Sequence, residues 1–225
     1  MASVKVVELI DRAQTILQDT TSVRWPVLEL QKWLNDAYRE ITLLRPDANS
    51  QTGTYTCVSG TRQVLTTGFS NALRLLDVTR NVAASSNKYA VRLVDRNTLD
   101  DQRRGWHNET ASVNIQHYMF DPKLPKEFLV YPPATVAAQL EVVYSSVPAA
   151  HALSEANLAP DSGDTTVINI DDSYANAILD YILYRAYSKD AEYAANAQRA
   201  VAHYQAMQTS LGTKTASDGV SQPGT

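Results

Sequence analysis

The residues that could do chemistry are few and scattered. Histidines stand at 107, 117, 151 and 203, with no HExxH pattern and no cysteine beside them, so zinc-type ligand spacing is missing. The lone cysteine, Cys57, sits in a Thr-Tyr-Thr-Cys-Val run. No neighbour in that run would make it a thiolate, and one thiol closes no internal disulfide. The eight glycines form neither GxGxxG nor GxxxxGK, and no GxSxG elbow occurs. Carboxylates at Asp161, Asp164, Asp171 and Asp172 lack the alternating ligands and terminal glutamate of an EF-hand loop. Asp171 and Asp172 are better placed to cap a helix. Among 24 acids no spacing singles out a glycosidase pair. The sequence predicts no catalytic residue, no metal site and no cofactor.

Two groups instead suggest surfaces. Arg103, Arg104, Trp106 and His107 form a basic cluster around an aromatic ring, a composition that elsewhere grips nucleic acid. Asp100 and Asp101 immediately precede it and cancel much of its field. The whole chain has a formal charge of −4 and a pI near 5.5, which argues against broad phosphate neutralisation. Trp106 is therefore expected to pack at a domain or subunit boundary, with Arg103 and Arg104 beside it. The second group is Tyr184 and Tyr187, on a helix too apolar for one buried face. Such a helix is either sandwiched between layers or partly covered by a neighbouring subunit.

The elements that carry these groups follow from periodicity. Val6, Leu9, Ile10, Ala13, Ile16 and Leu17 make one helical stripe, with Ser3 as the expected N-cap. Leu30, Leu34, Ala37, Ile41 and Leu44 make another, begun near Pro26 and stopped by Pro46. From about Thr52 to Pro148 the period falls to two. Strands are expected at Leu75 to Val82, Ala90 to Val94, Ser112 to Phe120, Phe128 to Tyr131 and Leu140 to Tyr144, with Pro132-Pro133 in a connection. A short helix is expected from Asn97 to Arg104. No βαβ alternation appears, so the sheet should be mainly antiparallel. A helix capped by Asp171 or Asp172 should reach about Ser188. A last one, capped by Asp190, should bury Ala197, Val201, Tyr204 and Leu211 and end at Gly212.

The fold class expected is α+β: N- and C-terminal helices forming a helical bundle, with a mainly antiparallel β region inserted between them. The expected domains are 1–48 with 170–212, and 49–169. Residues 213–225 are small and polar and read as a flexible tail. With 225 residues, 44% of them apolar, the chain can bury a core unaided. No run approaches the length of a membrane span.

Several stretches look familiar in order and interval: Arg74-Leu-Leu-Asp-Val, the run from Ala90 to Asp100, Phe120-Asp-Pro-Lys-Leu-Pro-Lys-Glu-Phe, Tyr131-Pro-Pro, Val143-Tyr-Ser-Ser-Val-Pro, and the run from Asp180 to Asp190. Together they resemble phage adaptor, or head-to-tail connector, proteins, related in role to the tail tubular protein A of short-tailed phages. The resemblance spans about residues 3 to 212. It implies a structural virion protein at the head-tail junction, made in the host cytoplasm and free of membrane. The implied assembly is a homo-oligomeric ring, usually of twelve copies, docked on the portal protein and receiving a tail nozzle or tube protein. Double-stranded DNA would pass through its channel without specific binding. The alternatives are a tail-associated cell-wall-degrading enzyme and a DNA-binding module. The latter would need a basic second helix, whereas Lys32 and Arg39 there are mixed with Glu29, Asp36 and Glu40.

Overall fold

A computed structural model describes residues 3–190, 192 and 194–220 and, within them, side chains other than those of 194 and 213–220. In chain order the elements are α1 (Val6–Leu17), α2 (Val27–Leu44), β1 (Ser50–Thr56), β2 (Gly60–Val64), α3 (Leu65–Gly68), β3 (Ala72–Asn81), β4 (Arg92–Leu93), α4 (Arg96–Gln102), β5 (His117–Phe120), β6 (Glu127–Ala134), β7 (Gln139–Ser146), α5 (Glu155–Leu158), α6 (Ala175–Lys189) and α7 (Ala194–Val220). The fold is α+β. It divides into two compact units, one of Met1–Ala48 with Pro148–Thr225 and one of Asn49–Val147.

In the helical unit, α1, α2, α6 and α7 share one core. On α1 the predicted stripe is buried except for Ile16, which stays 45% exposed. Lys5, not Ser3, is its N-cap. The backbone at residues 4–5 is held extended against 166–168, with Val6 N–H donating to Thr166 O and Ile168 N–H to Val4 O. Ser3 instead donates to the Asp172 carboxylate through its backbone N–H and its hydroxyl. Asp172 therefore ties down the N-terminal segment, while Asp171 caps the turn before α6 by accepting from Ser173 N–H. Segment 148–169, expected with the strands, belongs to the helical unit. It lies on α2 through side-chain amides: Asn35 exchanges two hydrogen bonds with the His151 backbone, and Gln31 does the same with Leu153. Their spacing of four puts both on one face of the helix, where they satisfy the backbone groups of His151 and Leu153.

On α7 the buried residues are Asn196, Ala200, Met207 and Leu211, whereas Ala197 is exposed and Val201 is 58% exposed. Leu211 is buried and Tyr204 half-buried as predicted, while the first half of the stripe is rotated by about one residue, from Ala197 and Val201 to Asn196 and Ala200. Polar partners set the rotation: Tyr204 Oη donates to Glu40, and His203 Nδ1 lies 2.9 Å from Asp180 Oδ1. The helix also runs past Gly212 to Val220, since glycine permits a stop without requiring one. The part of the expected tail from 221 to 225 lies outside the described residues.

The β unit has a three-stranded sheet, β1-β7-β3, and a four-stranded sheet, β2-β6-β5-β4. All pairings are antiparallel except β4 with β5. The prolines at 132 and 133 fall inside β6, not in a connection. They are tolerated because the β5 ladder ends at Tyr131 and the β2 ladder skips from Leu129 to Ala134 at an irregularity, so no N–H is required of them. The strand expected from Ser112 shrinks to His117–Phe120. Ahead of it, the side chain of Asn81, only 1% exposed, takes over the ladder's role. Its Oδ1 accepts from Ile115 N–H, and its Nδ2 donates to Ile115 O and Tyr89 O.

Candidate assembly surfaces

Among the described residues no three His, Cys, Asp or Glu side chains converge as a metal-binding group, and no helix is long and apolar enough to cross a membrane. The four histidines serve separate local structures. His107 Nδ1 lies 2.8 Å from Thr61 Oγ1, and His117 stacks on Tyr131. His151 is buried against Tyr38, and His203 faces Asp180. The Tyr38 hydroxyl accepts from Asn169 N–H at 3.0 Å and is hydrogen-bonded to His151 Nε2 at 2.9 Å. Burial holds the His151 ring below the ordinary imidazole range and pushes the Tyr38 phenol up to about 12. Cys57 is buried, and desolvation pushes its thiol up to about 12, the reverse of an activated nucleophile. Of the acids near 161–172, Asp164 accepts from Thr166 N–H and Asn157 Nδ2. With Asp171 and Asp172 engaged as described, these carboxylates hold backbone and do not face one another.

The cluster at 103–107 is split by the fold. Trp106 is fully buried in a small core with Leu99, Met119 and Tyr131. Its Nε1 donates to Asp100 Oδ1 at 2.8 Å. An indole enclosed in this way offers no surface to a neighbour, contrary to the boundary role expected for it. Arg103 stays exposed but is occupied, with Nη1 on Tyr131 Oη at 2.6 Å and on Glu109 at 3.3 Å. Only Arg104 projects with no hydrogen bond or ion pair among the described residues. Asp100, expected with Asp101 to offset this field, is instead engaged by Arg96 and by Trp106 Nε1, and the acid on Arg103 is Glu109.

Tyr184 and Tyr187 are covered from within the chain. Tyr187 is 7% exposed; its ring stacks on His203 at 5.7 Å, and Arg199 lies over it at 5.6 Å. Tyr184 is half-buried against Tyr204, with ring centroids 5.0 Å apart. Thus α6 is sandwiched between layers, one of the two alternatives its all-round apolarity left open. The face assigned to a neighbouring subunit is taken by α7.

Two features of the β unit escaped the sequence pattern. One is the loop before β4, where Tyr89 leaves 69% of its surface exposed. The other is a groove of about 960 Å³ beyond the C-terminal ends of β4 and β5, with Leu93 62% and Leu124 52% exposed at its edge. An exposed aromatic and a distant apolar groove carry no periodic signal, so only the folded chain reveals them. Among the described residues, Val23, Leu43, Val136, Ile16, Leu44, Val58 and Val201 make up the rest of the large apolar exposure outside these places.

Comparison with known proteins gives the family. No curated protein matches the sequence. The family model described as SU10 adaptor protein matches residues 4–225, nearly the whole length and both structural units. The chain belongs to the SU10 adaptor protein family and is a phage adaptor, a structural protein of the virion.

Proposed function

We propose that this protein is one subunit of a ring that joins the portal of the phage head to the tail and encloses part of the DNA channel. The observation that carries the reading is the family match over residues 4–225. Two physical features support it. The chain has a self-sufficient core in each unit, so it can exist before assembly, and its formal charge of −4 suits a wall past which phosphates must slide without sticking. Portal protein binds one side and a tail nozzle or tube protein the other, in a ring of twelve copies. Synthesis in the host cytoplasm precedes incorporation into the virion.

The test is to mix the purified full-length protein with portal complexes and follow mass and shape by native mass spectrometry and electron microscopy. A ring of the chain bound coaxially to the portal is expected. A protein that remains monomeric and unbound at every ratio overturns the proposal. An electrophoretic shift of double-stranded DNA at physiological salt by the free chain would contradict the passive channel.

A further inference from the structure

Tyr89 is an exposed ring on a braced backbone. Its carbonyl accepts from both the backbone N–H and Nδ2 of Asn81, each at 3.0 Å. The preceding loop is fixed as well. Asn87 N–H donates to Asn114 Oδ1 at 2.8 Å, Ser86 N–H to Ala83 O at 3.0 Å, and Lys88 N–H to Ser86 Oγ at 3.4 Å. Lys88 itself holds φ at 56°, a left-handed conformation that residues with a Cβ adopt rarely and that persists where the surroundings impose it. A large aromatic whose backbone is already ordered loses little freedom on binding, which is the property of an interface anchor.

The groove at the other end of the same strand pair is suited to receive it. Because β4 and β5 run parallel, the loop carrying Lys88 and Tyr89 lies at their N-terminal ends, and the groove, with Leu93, Val94, Met119 and Phe120, lies at their C-terminal ends. Its acids outnumber its bases. Arg62 is held by Glu127 at 2.6 Å and Arg96 by Asp100 at 3.1 Å. That leaves Asp95 and Asp121, whose carboxylates accept from backbone N–H groups at 3.0 and 2.9 Å and have no ion pair among the described residues. Lys88, exposed beside Tyr89, likewise has none among the described residues. Apolar floor with acidic surplus, and aromatic ring with adjacent ammonium, are complementary.

We infer that the Lys88–Tyr89 segment of one copy seats in the Leu93–Leu124 groove of the next. The two surfaces differ and lie at opposite ends of one strand pair, so the contact is heterologous and repeats from copy to copy, closing into a ring where the rotation allows. The inference rests on the ring reading above and names the lateral contact within it.

Full-length Asn87→Cys/Lys123→Cys protein, which keeps Tyr89 and Leu124 and carries its thiols at exposed positions beside them, is treated alone and with portal complexes with a short bismaleimide; the buried Cys57 does not compete. A ladder of covalent dimers, trimers and higher species is expected from the double variant and from neither single variant. Tyr89→Ser should lower the assembled fraction at least about tenfold, with an unchanged circular dichroism spectrum because the ring is exposed. Rings seen by microscopy without the ladder, or Asn87→Cys alone yielding dimers that grow no further, overturn this contact while leaving the ring reading standing. No oligomer of the unmodified chain under either condition removes both.

Discussion

His151 and Asn81 show how single buried polar residues hold this chain together. Burial lowers the folded-state pKa of His151 and of His117 from the ordinary 6.5, so below that value the unfolded chain binds protons that the folded chain refuses. Stability therefore falls as pH drops through about 6.5 and is insensitive to these rings above it. Urea midpoints at about pH 7.5 and about pH 5.5 should differ, the lower pH being the weaker. Tyr38→Phe leaves His151 Nε2 and Asn169 N–H without their partner and should cost about 1–3 kcal/mol in the same assay. Asn81→Leu strands Ile115 N–H and Ile115 O and takes one of two donors from Tyr89 O, for a loss of at least about 2 kcal/mol. Cys57, with its thiol pushed up to about 12 by burial, should react with a disulfide reagent only after denaturant is added. Prompt reaction in the native protein would contradict its placement. Amide and histidine roles of this kind have no local signal, because their partners lie far off in sequence, 34 residues away for Asn81 and 113 for Tyr38.

Among the elements, β1 and α7 show packing overruling pattern. A glycine usually weakens a strand, yet a Cβ added at Gly53 would come within 2.8 Å of the Phe69 ring, which stacks on Tyr144 at 4.3 Å. Gly53→Val, favourable by strand propensity, should therefore destabilise the β unit by about 1–3 kcal/mol, read from its thermal midpoint. A neutral or stabilising result would mean that the Phe69 ring moves aside freely. On α7 the helical period was legible, but its phase was not. An alanine-rich helix offers several nearly equivalent stripes, and the choice among them came from Asp180, Glu40 and Tyr184 on other helices.

The largest consequence belongs to the whole molecule. The β unit leaves and re-enters the helical unit at neighbouring points, since Ser50 pairs with Ser145 and Asn49 Nδ2 donates to Ser146 O at 2.9 Å. A segment whose ends are already adjacent loses little on excision. Residues 49–147 expressed alone should give a dispersed amide proton spectrum and a cooperative unfolding transition. A collapsed spectrum would show that its two sheets need the helices. If the unit folds, it offers the smallest piece on which the Tyr89 contact can be measured without the portal.

The sequence by itself determined the kinds of element, the order helix, strand, helix, and the apolar faces of α1 and α2 apart from the exposed Ile16 and Leu44, because periods of 3.6 and 2 are properties of a dozen consecutive residues. It also carried the scattered identities that resemble phage adaptors. Tertiary structure decided what each face meets: that α7 covers Tyr187 and half-covers Tyr184, that Trp106 is enclosed, that β4 pairs parallel with β5, and that Tyr89 is held out to solvent. The physical reason is that burial is a relation between residues far apart in the chain, and no local period records which partner a face will choose.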